Sequence, residues 1–183
     1  MFIKLGVVSQ AKGSAYIEVG QTKVLCSAFD PRQIPNQYDY ITVAISFLQD
    51  EFPNFQVDVY ALVLYNGGSA LSAAIMGASL ALANANVPMY GIVSAVTAGI
   101  YDDCVILDPT DYEESLCLAA IKKSKTINHG IVMHAILLRH DQISEHFLVE
   151  SLDLNRIYST INKLNRAVTE IYPILQQTLI NQL

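Results

Sequence analysis

Between Arg32 and Lys122 the chain has no lysine, arginine or histidine, while ten acidic residues fall in the same span. A stretch of that kind cannot neutralise phosphates. With a net charge of -6 and a pI near 5.0, independent binding to DNA or RNA is excluded as the main business of the chain. Cysteine is also scarce: Cys26, Cys104 and Cys117 show no Cys-x-x-Cys spacing, which argues against a disulfide framework and a zinc site and for buried reduced thiols. No window reaches the roughly 18 uninterrupted apolar residues of a membrane span, because Asn66, Gly67, Asn84, Asn86 and Pro88 break the richest region. Lys4 and Gly6 interrupt any secretory apolar run after Met1, so an intracellular chain is expected. Ser14 and Ser69 lack a Gly-x-Ser-x-Gly context, and His129, His134, His140 and His146 lack the spacing of a helical metal pair. Those histidines are expected at surface or strand positions. No repeat, linker or low-complexity segment appears.

What remains is apolar. Hydrophobic residues make up 52%, charged residues 15%, and the mean hydropathy is +0.32, which implies much surface buried against partners. The richest region, Tyr65 to Asn84, runs from a strand end through Asn66, Gly67 and Gly68 into a helix expected to start at Ser69, whose hydroxyl is a good N-cap. Leu71, Ile75, Met76, Leu80 and Leu82 are separated only by small residues, so this helix has almost no polar face and belongs inside the fold. A glycine turn at a helix N-terminus is also a ready anion site, since unpaired N–H groups and the dipole favour negative charge. Phosphate sites normally add a cation, and none lies nearby in the sequence. A structural helix-start turn is therefore the stronger reading of Gly67, Gly68 and Ser69.

In chain order, Gly13 to Val19 and Thr22 to Phe29 read as a hairpin about Gly20 and Gln21, ended by Pro31 and Pro35. A short helix is expected within 39–52. Gln56 to Tyr65 is nearly continuous in hydrophobicity and is expected as a central strand. After the helix, Ile92 to Ile100 and Val105 to Leu107 read as a second hairpin. Leu116 to Ile121 and Ile131 to Leu138 are expected as strands around a basic loop from Lys122 to His129, with a short edge piece at Phe147 to Val149. A long amphipathic helix follows, capped by Asp153 and kinked at Pro173, with Ile157, Ile161, Leu164, Val168, Ile171, Leu175 and Leu179 on one face. One α+β domain over residues 1–183 is the economical reading.

The acidic group Asp102, Asp103, Asp108, Asp111, Glu113 and Glu114 could hold a divalent metal or act as acid and base, but a solvated turn with acids favouring a helix start explains it more simply. No cofactor or metal is expected. From the residues alone, no active site assembles.

The hairpin Gly13 to Val24 (GSAYIEVGQTKV), followed by Pro31 and Arg32, resembles the signature of the RNase PH domain family, which includes bacterial phosphorolytic RNases and the ring subunits of the RNA exosome. Gly67 to Ala74 (GGSALSAA) and Ala81 to Val93 (ALANANVPMYGIV) match its second block. Val8 to Glu18 (VSQAKGSAYIE), Leu107 to Glu114 (LDPTDYEE) and Ile171 to Leu179 (IYPILQQTL) are most similar to eukaryotic exosome ring subunits. The resemblance implies a ribosomal protein S5 domain 2-like fold, with mixed sheets packed on a central apolar helix and a long C-terminal helix. It also implies a place in a six-membered ring with other RNase PH-like subunits, under S1 and KH cap subunits, in nucleus, nucleolus and cytoplasm. RNA is met only within that complex, and Arg32, Lys122, Lys123 and Lys125 are the candidate contacts.

Phosphorolytic members carry Gly-Gly-Thr-Arg where this chain has Gly67, Gly68, Ser69 and Ala70, so the phosphate-site arginine is absent and the turn reads as vestigial. Family members place a further aspartate downstream of the motif that Asp108 begins, and the chain reads Leu116, Cys117, Leu118, Ala119 there. An arginine-rich stretch and an Asp-Gly-Arg segment common in the family are missing too. The resemblance thus implies a non-catalytic ring subunit. An active phosphate-dependent 3′–5′ exoribonuclease and a stand-alone small-anion binding domain are the alternatives.

Overall fold

In a computed structural model of the chain, residues 1–29, 32–33, 55–119, 129–150 and 152–182 are described. The helix expected within 39–52 lies outside them, as do Lys122, Lys123, Lys125 and the side chain of Arg32.

The elements are β1 (Phe2–Leu5), β2 (Gly13–Val19), β3 (Thr22–Ala28), β4 (Arg32–Gln33), β5 (Phe55–Gln56), β6 (Val59–Tyr65), α1 (Ala70–Asn84), β7 (Ser94–Tyr101), β8 (Cys104–Leu107), α2 (Asp111–Ala119), β9 (His129–Leu137), β10 (Gln142–Val149) and α3 (Leu154–Gln182). Two four-stranded sheets carry the fold, ordered β1-β2-β3-β6 and β10-β9-β7-β8, and every pairing in them is antiparallel. The hairpin read at Gly20 and Gln21 is present, with Val19 opposite Thr22 and Ile17 opposite Val24. Alternation sends Ala15, Ile17, Val24, Cys26 and Ala28 to one face, which is fully buried.

That face meets α1. Ile75, Met76, Leu80 and Leu82 are buried as expected of a helix without a polar face, and they join Met133, Ala135 and Leu137 of β9 in one core. Close approach is built into α1, since a Cβ on Gly77 would lie 2.8 Å from the Cys26 sulfur and 3.1 Å from Ile17. The opposite face of the second sheet, through Val96, Ala98, Ile100, Val132 and Ile136, packs on Leu164 and Val168 of α3. The layers therefore run first sheet, α1, second sheet, α3. Farther along α3, Leu175 and Leu179 enter the core around α1, and Gln182 accepts a bond from the Leu5 N–H at 2.8 Å. Pro173 is exposed, and the helix continues through it to Gln182.

Four sequence expectations are corrected. The run read as a strand from Leu116 to Ile121 is helical as far as Ala119, because Thr110 and Glu113 form a reciprocal capping box that starts α2. Glu113 accepts from the Thr110 N–H at 2.8 Å and Thr110 Oγ1 accepts from the Glu113 N–H at 3.4 Å. The edge piece at Phe147 to Val149 is the end of an eight-residue strand, β10. The lead-in from Met1 holds a strand, β1, paired with β2. Most consequentially, β6 is an outer strand of its sheet and is exposed along its length, not central. A continuous apolar run signals burial on both faces; here nothing among the described residues supplies the second neighbour.

Candidate functional site at the glycine turn

Three segments distant in sequence meet where β6 enters α1. Asn66 Oδ1 accepts from the Gly68 N–H at 3.1 Å, and Thr22, the first residue of β3, clamps the turn from the other side. Its buried hydroxyl accepts from the Gly67 N–H at 3.0 Å and donates to the Gly68 carbonyl. Gly68 has φ +108°, and a Cβ there would lie 2.1 Å from the Pro109 carbonyl oxygen, so only glycine fits. The Gly67 carbonyl in turn accepts from the Asp111 N–H at 2.9 Å.

Ser69 behaves differently from the expectation. It lies outside α1 in the left-handed region, at φ 55°, and its side chain makes no cap to the helix. The hydroxyl donates instead to the Pro109 carbonyl at 3.2 Å. The helix opens at Ala70 through bonds to the Ser69 carbonyl from the Ala73 N–H and the Ser72 hydroxyl. The backbone N–H of Ser69, the donor an anion would use, is bonded at 2.8 Å to Oε1 of Glu114. A carboxylate of α2 thus sits where an external anion would dock.

The electrostatics are those of crowded acids. Burial pushes the Glu114 carboxyl above its usual range, the Ser69 N–H pulls it back, and Asp111 and Asp108 push it further up. Glu113, bonded by the Thr110 backbone and hydroxyl, is lowered. Ala70 adds no charge. Asp108 also reaches the β2–β3 turn, its Oδ2 lying 3.7 Å from where a Gly20 Cβ would stand.

The acidic group of the sequence divides in two. Asp108, Asp111, Glu113 and Glu114 gather at the glycine turn, whereas Asp102 and Asp103 lie at the far end of β8. There Asp102 is 3.3 Å from Nε2 of buried His129, and Asp103 is 3.3 Å from Arg156. An open cleft of about 250 Å³ lined by Asp103, Asp153, Asn155, Arg156 and Ser159 lies at this end, away from the glycine turn. Among the described residues no group of three or more His, Cys, Asp and Glu is arranged to hold a metal ion.

The histidines divide too. His129 and His134 are buried strand residues. His134 Nε2 is 2.9 Å from Asn165 Oδ1 and its Nδ1 is 3.1 Å from Nδ1 of His146, so with Nε2–H donating to Asn165 the His134 Nδ1 accepts from His146. Burial and the neighbouring imidazole lower the His134 pKa. Neither this pair nor the Glu114 bond was visible in the sequence, whereas the Thr-x-x-Glu capping box was.

The "3′ exoribonuclease family, domain 1" profile matches residues 1–48 and 41–88, and that of domain 2 matches 91–122, together about two thirds of the chain. The chain is 34% identical over 146 residues to "Exosome complex component RRP41-like" of Arabidopsis thaliana, covering 61% of this chain and 57% of the relative. It is 30% identical over 173 residues to "Exosome complex component MTR3" of Homo sapiens, covering 66% and 64%. It spans about three fifths of the length of the curated relatives it matches. The crystal structure of rice (Oryza sativa) Rrp46 superposes with a TM-score of 0.79 over 97% of this chain and 93% of that one, at 20% identity, and shares the fold. Among the described residues no helix is long and apolar enough to cross a membrane.

Proposed function

The chain belongs to the 3′ exoribonuclease (RNase PH) family, and from that premise we propose that it is a non-catalytic ring subunit of the RNA exosome. The observation that carries this reading is the bond from the Ser69 N–H to Glu114. Phosphorolysis needs inorganic phosphate held by backbone donors and a cation. At this turn a donor is taken by an internal carboxylate, Ala70 follows it, and Asp108 and Asp111 stand close by. A phosphate dianion would meet repulsion and find no developing charge stabilised. Gly67, Gly68 and Ser69 then serve as a structural joint between β6 and α1.

The ring position proposed is that of the mRNA transport regulator, the component named MTR3 in Homo sapiens, supported by 30% identity over 173 residues. Its partners would be other RNase PH-like subunits and the S1 and KH caps, with RNA met only in that assembly and the complex shared among nucleus, nucleolus and cytoplasm. Arg32, Lys122, Lys123 and Lys125 stay as proposed RNA contacts. We also propose that residues 1–183 fold as one domain.

Titration of the purified chain with inorganic phosphate tests the reading: no binding heat is expected at millimolar phosphate, and saturable binding abolished by Ala70→Asp, a substitution the first turn of α1 accommodates, would overturn it. The alternative, an active phosphate-dependent 3′–5′ exoribonuclease, draws on the match to the 3′ exoribonuclease family profiles. It requires phosphate-dependent release of nucleoside diphosphates from RNA.

A further inference from the structure

We propose that His134, His146 and Asn165 form a proton-gated latch, which holds β10 to β9 and to α3 while one hydrogen lies between the two rings and opens locally when a second arrives. The inference goes beyond the ring-subunit reading and does not depend on it. His134 and His146 stand directly opposite each other in the β9–β10 ladder, with their Nδ1 atoms 3.1 Å apart, and Nε2 of His134 is 2.9 Å from Oδ1 of Asn165 on α3. His134 is fully buried, so neither of its nitrogens can exchange its partner for water while the strands stay paired.

Between two facing Nδ1 atoms there is room for one hydrogen. With Nε2–H of His134 donating to Asn165, Nδ1–H of His146 donates to His134, and the neutral pair makes both bonds. A first added proton goes to Nε2 of His146, the remaining basic nitrogen of the half-buried ring, and strengthens the bond between the rings. A second has only Nδ1 of His134 left. There it sets two N–H groups head to head and two positive charges in contact, one of them cut off from water. Opening the strand relieves both.

The neighbours leave that threshold to the pair itself. Val96 of β7 lies opposite His134, Val132 and Ile136 flank it on β9, and Leu164 and Val168 of α3 cover this face, all of them apolar. Ser144 and Leu148 flank His146 along β10, Glu145 points to the other face, and Lys163, Arg166 and Glu170 of α3 are exposed. Burial and the His146 imidazole lower the His134 pKa, against a smaller rise from Asn165. In an open strand His134 regains the ordinary value near 6.5. The latch is therefore complete above that value and weakens as the pH falls below it. β10 is the element that yields, since none of its residues is buried and its pairing is already irregular between Ile143 and Glu145.

The test is hydrogen exchange of the full chain at pH 7.5 and pH 5, expressed as protection so that the intrinsic pH dependence of exchange cancels. Amides of β10 bonded to β9 are compared with those of the β2–β3 hairpin. Opening linked to one proton gains at most a factor of about 30 over about 1.5 pH units below 6.5. About fivefold or greater loss of β10 protection is expected at pH 5, with the β2–β3 hairpin changed less than twofold. His146→Gln, whose amide can donate to neutral His134 or turn to accept from the protonated ring, should keep β10 protected at both pH values. β10 protection that does not fall in the parent, falls equally in His146→Gln, or falls together with the hairpin overturns the inference. Where His146→Gln does not fold, NMR of the imidazole nitrogens in the parent decides. His134 carrying its hydrogen on Nε2 and staying neutral below the ordinary value is expected; His134 carrying it on Nδ1, or titrating at that value, overturns the latch.

Discussion

Replacing Glu114 by glutamine and by alanine separates two contributions of one carboxylate. Oε1 accepts the Ser69 N–H at 2.8 Å, and glutamine keeps an oxygen in that place. What glutamine removes is the charge, which burial, Asp111 and Asp108 all disfavour. The strength lost on exchanging a charged acceptor for a neutral one is about 1 kcal/mol, and relief of the crowded acids offsets it, so Glu114→Gln is expected within about 1 kcal/mol of the parent at pH 7. Glu114→Ala leaves the N–H of a buried residue without its partner, at a cost of about 1–3 kcal/mol. The pH dependence gives a sharper reading. A carboxyl whose folded pKa is raised destabilises the fold above that pKa, and the penalty disappears as the pH falls through the folded value toward the usual glutamate range near 4.3. Relative to Glu114→Gln, the parent must therefore gain stability on acidification from neutral pH; taking the difference cancels the opposite contribution of Glu113, whose pKa is lowered. Urea unfolding followed by circular dichroism between pH 4 and 7 measures it. A parent that loses stability relative to Glu114→Gln on acidification, or an alanine variant as stable as the glutamine variant, refutes the reasoning.

Thr22→Val removes the hydroxyl that serves both Gly67 and Gly68, and should cost about 2–4 kcal/mol while Thr22→Ser costs less than about half of that; equal losses in urea titrations would deny the clamp. Of the three thiols, Cys104 is exposed whereas Cys26 is buried with its pKa pushed up to about 12 and Cys117 is buried with its pKa also raised, so a maleimide at neutral pH should label Cys104 alone, and rapid labelling of Cys26 would contradict the packing. Because Ile17, Met76, Met133 and Leu175 share one core, thermal unfolding should be a single cooperative transition, and two separated transitions would split the proposed domain.

The parts of the fold that rest on local pattern were legible in the sequence. The β2–β3 hairpin follows from alternation and a two-residue turn, α1 from an all-apolar helical run, and α3 from its three and four residue spacing. The run Leu116–Ile121 misled because apolar content outweighed the Thr110–Glu113 capping box written just before it. Ser69 misled for a different reason. Its N–H is held by Glu114 and its hydroxyl by Pro109, 45 and 40 residues away, and no local propensity encodes such contacts. The same holds for His134, whose partners His146 and Asn165 come from other elements. In β6 the continuous apolar run misled: it reads as a central strand, and among the described residues it is an outer strand with exposed side chains.

The most direct measurement is release of nucleoside diphosphates from 3′-labelled RNA in the presence of phosphate and magnesium, by an assembled ring in which this chain contributes the sole unaltered glycine turn. Release no faster than from a ring carrying Ala70→Asp, which adds a carboxylate at the start of α1, is the expected result. Phosphate-dependent release that disappears with Ala70→Asp would contradict the non-catalytic reading.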